Sequence, residues 1–188
     1  MEGWWVASYV VLWLLVVVLC VVVVGLARQV GTLHLRLGPR GALEAEDEGP
    51  PLGTTLEPLE TDDLAGRPVT IAAAGESQLL LFVSPGCPLC EQVMPAVPAL
   101  AGEQLSTYVV SDADASGTVR MLAGRRMAAP VVAGPDISRS LDVPGTPYAV
   151  VLDEAGVVRA KGTVNNLEQV EGLVLTARHR VAAPAEAA

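Results

Sequence analysis

Two cysteines three positions apart, Cys87 and Cys90, are the residues best placed to do chemistry in this chain of 188 residues. They enclose Pro88 and Leu89 and follow Ser84-Pro85-Gly86, a turn at the end of the apolar run Gln78 to Val83. A strand, a turn and a helix starting at Cys87 set its sulfur where backbone N–H groups lack intrahelical partners and the helix dipole favours an anion. A thiolate is favoured in such a place. The spacing puts Cys90 one turn along the same helix face, within disulfide reach. The chemistry is thiol-disulfide exchange: Cys87 attacks a partner disulfide, or is attacked when oxidised, and Cys90 resolves the mixed disulfide.

Other uses of a cysteine pair make different demands. A zinc site needs a second pair of ligands, and the sequence has only His34, His179 and Cys20 to add, all remote from the motif. No metal is expected, and no cofactor beyond the pair itself; a copper site lacks histidine for the same reason. Inert buried thiols remain a reading of four residues taken alone. So does a peroxiredoxin, for which Ser84 stands suitably three residues before Cys87. Leu80, however, occupies the place of that family's proline, and the spacing to a resolving cysteine differs.

The elements that must position the pair can be read from periodicity. Gln78 to Val83 is short, continuous and apolar, as in a strand buried on both faces. Cys87 to Ala101 reads as a helix with Pro88 in its first turn, bent at Pro95 and again at Pro98. Thr107 to Val110 predicts a strand, Ser116 to Met127 a helix and Pro130 to Ala133 a third strand. Tyr148 to Leu152 and Val157 to Ala160, split by Asp153-Glu-Ala-Gly156, predict a hairpin. Asn166 to Arg178 closes the domain as an amphipathic helix, with Leu167, Val170, Leu173 and Val174 on one face and Asn165 or Asn166 as cap. Met94, Met121 and Met127 read as core filler, and Arg178 to Arg180 as ordinary helix C-terminal charge. Strand and helix alternate and then give a hairpin and a last helix. This is the order of a thioredoxin-like α/β fold, a central mixed sheet flanked by helices, over residues 56–180.

Val143-Pro144-Gly145-Thr146-Pro147 leads into the strand Tyr148 to Leu152. It matches the cis-proline loop of thioredoxin-like proteins, which faces the cysteine pair in that fold. Thr146 and Pro147 are therefore candidate substrate-binding residues with Pro88 and Leu89, the Thr146 backbone pairing with an extended client segment. Two thioredoxin features are missing. Gly86 stands where thioredoxin has tryptophan, and Leu81 where it has a buried acid that assists proton transfer from the buried thiol. Glu91 reads as a solvent-facing acid of the first helical turn.

The amino terminus is of another kind. No charge occurs from Gly3 to Ala27, and Val10 to Leu26 is almost unbroken Val and Leu. That run has about the 20 residues needed to cross a bilayer as a helix. It exceeds a signal-peptide core and lacks a basic leader, so residues 1–28 are expected to be an uncleaved anchor contacting lipid through residues 4–26. Val18-Leu19 before Cys20 does not resemble a lipoprotein processing site. Residues 29–55 carry Gly38-Pro39, Gly41, acidic residues from Glu44 to Glu48 and Gly49-Pro50-Pro51, the composition of a tether. Residues 181–188 read as a disordered Ala-rich tail. Counting Arg28, Arg36 and Arg40 after the helix would keep the domain in the cytoplasm; disulfide chemistry favours the oxidising side. A net charge of −9 without a basic cluster excludes nucleic acid as a partner.

Three stretches resemble the MauD family of methylamine dehydrogenase accessory proteins. They are Leu37-Gly-Pro-Arg-Gly-Ala-Leu43 with Asp47-Glu-Gly-Pro50, Ser84-Pro-Gly-Cys-Pro-Leu-Cys90, and Pro147-Tyr-Ala-Val-Val-Leu-Asp-Glu154 running on to Arg159-Ala-Lys-Gly162 and Val164-Asn-Asn166. The likeness covers nearly the whole chain. It implies a single-pass protein of the cytoplasmic membrane whose domain lies on the periplasmic side. It further implies Cys87 and Cys90 as a redox pair serving disulfide formation or isomerisation in an exported client protein with cysteines, the methylamine dehydrogenase small subunit, with a membrane redox partner to recharge the pair. A tethered TlpA-like reductase for cytochrome maturation and a non-catalytic membrane assembly factor are the alternatives.

Overall fold

The computed structural model describes residues 2–36, 48–97, 105–125 and 127–182, in two compact units divided after Pro39. The first unit is helix α1 (Glu2–Arg36), which runs past Arg28, where the sequence reading ends the anchor. Its segment Gly3–Val23, with a mean hydropathy of 3.0, is long and apolar enough to cross a membrane. A helix suits that solvent because it satisfies its own backbone polar groups. Gly38-Pro39, Gly41 and the acidic residues before Glu48 lie outside the described residues, as do Pro98 and residues 183–188 of the expected tail.

The second unit is built on a five-stranded sheet. Its strands are β3 (Ser77–Val83), β4 (Leu105–Ser111), β5 (Val131–Ala133), β6 (Tyr148–Leu152) and β7 (Val158–Thr163), in the order β5-β4-β3-β6-β7. β3 pairs in parallel with β4 and antiparallel with β6, so it is the central strand. Every residue from Gln78 to Val83 is buried, and side chains alternate between two cores. Leu79, Leu81 and Val83 pack with Cys90, Val93, Val97 and the inner face of the last helix. Leu80 and Phe82 pack on the other side with Ile71, Ile137, Tyr148 and Val150. The continuous apolar run of the sequence thus reflects burial on both faces.

The helices differ from expectation at their ends. α2 covers Pro88–Val93 and tightens into a 3-10 turn at Met94–Ala96, where Pro95 has no N–H to continue the α ladder. α3 (Ala115–Leu122) stops well short of Met127, because Ala123 turns left-handed and its N–H closes the helix on the Val119 carbonyl at 3.2 Å. α4 (Pro135–Ser140) was not expected, being too short to show a period. α5 (Leu167–Ala182) outruns Arg178. Asn166 caps it, accepting the Gln169 N–H at 2.9 Å, and Gln169 Oε1 accepts the Asn165 N–H in return.

A separate hairpin, β1 (Leu59–Asp62) with β2 (Pro68–Ile71), was also not anticipated. β1 is nearly all exposed, so hydrophobic alternation never marks it. Its turn is organised by Asp63, whose Oδ1 accepts the N–H groups of Ala65 and Arg67 at 2.8 and 2.9 Å.

The β6–β7 hairpin uses the same device. Asp153 Oδ1 accepts the N–H groups of Ala155 and Val157, both at 2.9 Å, and Oδ2 takes Arg159 Nε at 2.6 Å. Burial raises the pKa of Asp153, but the bonds from Val157, Arg159 and Ala155 outweigh it and hold the carboxyl below its ordinary 3.8. A depressed pKa contributes stability above the unfolded value that is lost as pH falls through the folded one. Asp153→Ala is therefore expected to cost about 1–3 kcal/mol at pH 7. In urea melts the gap between variant and parent should narrow below pH 3.8; a gap constant down to acid pH would refute this account.

Candidate active site

The end of β3, the turn Ser84 to Gly86 and the start of α2 bring the cysteine pair to the carboxyl edge of the sheet. Gly86 has φ +74°, a conformation that a side chain resists, so the tryptophan of thioredoxin would be strained at this turn. Cys87 is the extended residue just before α2, and Pro88 opens the helix. Cys87 and Cys90 are joined in a disulfide with their Cα atoms 5.3 Å apart. The Cys90 N–H points at Cys87 Sγ at 3.2 Å, a donor that would favour negative charge on that sulfur after reduction. Cys90 is 1% exposed whereas Cys87 is only partly covered. Of the two sulfurs, Cys87 is the one open to an incoming group, and Cys90 is sheltered.

The loop before β6 arrives opposite the pair. The Thr146–Pro147 bond is cis, and the Thr146 carbonyl oxygen lies 3.6 Å from Cys87 Sγ. Pro147 is buried, Thr146 half-buried, and Pro88 and Leu89 stand exposed beside them. All six residues named from the sequence therefore fall in one region, with the Thr146 backbone next to the reachable sulfur.

The structure adds partners that sequence reading left out. Ser84 accepts the Cys87 N–H through its carbonyl at 3.4 Å, and its hydroxyl bonds to the Asp112 carboxylate at the end of β4. Only the parallel pairing of β3 with β4 brings Asp112 there, so no local signal could have found it. Leu81 is 1% exposed and packs in the same cluster as Cys90, in the place of thioredoxin's acid. Glu91 faces solvent and pairs with Arg125 at 3.2 Å. Neither residue presents a proton acceptor to the buried sulfur.

The methylamine utilization protein MauD of Paracoccus denitrificans is 35% identical to this chain over 179 residues, covering 93% of this chain and 89% of that protein. The chain belongs to the MauD family. The MauD of Methylorubrum extorquens is likewise 35% identical, over 90% of this chain and 84% of its own length. No family model matches the sequence. Among solved structures, StoA from Bacillus subtilis aligns with a TM-score of 0.53 at 16% identity, over 63% of this chain and 96% of StoA. DsbF of Mycobacterium tuberculosis, in mixed oxidised and reduced forms, gives 0.52 at 15% over 63% of this chain and 94% of DsbF. Peroxidoxin BcpB of that organism gives 0.56 at 16% over 68% of this chain and 96% of BcpB. These likenesses establish the thioredoxin-like fold of this MauD-family chain. Because a peroxidoxin shares the fold, the chemistry has to be argued from the site.

Proposed function

We propose that this MauD-family chain is a membrane-tethered thiol-disulfide oxidoreductase that forms or rearranges disulfides in an exported protein, the methylamine dehydrogenase small subunit being its client. The observation that carries the reading is the pairing of a reachable Cys87 with a sheltered Cys90, beside the Thr146 carbonyl. In the oxidising direction a client thiolate attacks Cys87 Sγ. The Cys87–Cys90 bond breaks, Cys90 leaves with the electron pair and takes a proton, and a mixed disulfide forms. A second client thiolate attacks the client sulfur of that bond and expels Cys87. The client loses two electrons and the pair gains them; a membrane dithiol-oxidising partner must then take them away. Thr146, Pro147, Pro88 and Leu89 would hold the client segment, and the cysteine pair is the only redox group the reaction uses. Helix α1 would anchor the domain on the periplasmic side of the cytoplasmic membrane.

The test is genetic and chemical together. In a methylamine-dependent strain, Cys87→Ser with Cys90→Ser should abolish maturation of the small subunit and leave its cysteines reduced by alkylation mass spectrometry. Full maturation by that double variant would instead mark a non-catalytic assembly factor.

A further inference from the structure

Residues 48–50, the described end of the first stretch that carries the family resemblance, meet the stretch that follows Pro147, away from the redox pair. Residues up to 55 read as a tether in the sequence, yet from Glu48 onward the chain is bonded to the domain. Gly53 donates to the Val158 carbonyl and Leu56 to the Gly156 carbonyl, both at 2.9 Å, and Thr55 bridges Val157. Residues 53–56 thus run antiparallel to residues 156–158, at the start of β7. At its start the Glu48 carbonyl accepts two side-chain bonds, from Tyr148 Oη at 3.0 Å and from Lys161 Nζ at 2.7 Å.

Both donors are unusual for their residue types. Lys161 is 0% exposed, and lysine is almost never fully buried without a partner. Tyr148 is 1% exposed and is the residue directly after Pro147. Gly49 closes over it with φ +72°, and a Cβ added there would meet the tyrosine oxygen at 2.5 Å. Pro50 is buried beside it. The adjoining residue is held as well, Val164 donating to the Pro147 carbonyl at 3.2 Å. Tyr148 faces the core opposite that of Cys90, so this contact does not touch the reacting sulfurs.

We propose that Glu48-Gly49-Pro50 is a strap by which the membrane-proximal segment positions the Thr146–Pro147 loop for its client, with Tyr148 and Lys161 as positioning residues. The inference rests on the reading that this loop receives the client backbone. Loosening the strap lets Tyr148, and with it the loop, shift. A client that pairs with the loop then meets Cys87 misaligned, while a small dithiol that needs no loop reacts as before.

The experiment uses the full-length chain in detergent and two reductants of the Cys87–Cys90 disulfide, an extended peptide dithiol and dithiothreitol. Tyr148→Phe, which removes one hydroxyl, and Lys161→Met are each expected to slow the peptide reaction about tenfold. The dithiothreitol rate should stay within about twofold of the parent. Equal slowing of both reductants, or an unchanged peptide rate, overturns the strap. Should Lys161→Met fail to fold, Tyr148→Phe decides alone. A parent chain that shows no preference for the peptide overturns the loop reading and the strap with it; a preference that survives both substitutions overturns the strap alone.

Discussion

A full-length chain carrying Cys90→Ala is expected to accumulate Cys87 mixed disulfides with its client, and its turnover should fall by roughly a thousandfold or more. In that variant the Cys87 thiolate still attacks a disulfide already present in the client and expels one client sulfur as a thiolate, but Cys90, which would attack Cys87 in turn and release the client, is gone. Adding Cys87→Ser should remove the adducts altogether. The fold is not expected to fail, because the disulfide closes a very short loop and such loops contribute least to stability. Non-reducing electrophoresis with mass spectrometry of the adduct reads the result directly. Adducts that persist without Cys87, or a Cys90→Ala chain that turns over normally, would reverse the assigned roles. The captured partner also tests the client, since a cytochrome apoprotein in place of the methylamine dehydrogenase subunit would favour the reductase alternative.

The other large effect concerns Leu81. It is 1% exposed on the central strand, in one cluster with Cys90, Val93 and Met94. Leu81→Asp puts an acid where thioredoxin has one, but without groups arranged to receive it. Burying a carboxyl there is expected to cost about 2–7 kcal/mol at pH 7. Burial raises the pKa of such an acid, so the folded state prefers its protonated form and the deficit should shrink as pH falls. Urea melts at several pH values measure this. A deficit that grows in acid, or none at neutral pH, would show that the Leu81 environment is wetter than its exposure indicates. With stability restored by low denaturant and temperature, and at pH above that raised pKa, where the carboxyl is ionised, the variant should resolve mixed disulfides faster than the parent, because Cys90 gains a neighbouring proton acceptor.

How much of this was legible in advance depended on range. β3, β6 and the β6–β7 turn were plain because their patterns are local: unbroken apolar runs for the strands, and Asp with Gly at the turn. The Asn166 cap of α5 was likewise local. Helix ends were misjudged where a single backbone conformation decided them, as at Ala123. The exposed strand β1 and the six-residue α4 left no period to read. Composition and contact part at Gly49-Pro50-Pro51, which has the make-up of a linker, yet Gly49 lies where Tyr148 leaves no room for a Cβ.

By itself the sequence determined the spacing of the cysteine pair at a helix start, the apolar segment of α1 and the order of elements in the thioredoxin-like fold, since each rests on spacing and periodicity within a few turns of chain. The cysteine pair's surroundings were decided only in three dimensions. Thr146 reaches Cys87 across 59 positions, and Lys161 reaches Glu48 across 113. Contacts at that range follow from how strands pair and which face each side chain takes, and a one-residue change of register would send them to the opposite core. Which cysteine is reachable and which is sheltered was settled in the same way, by packing Cys90 against the strand that carries Leu79 and Leu81.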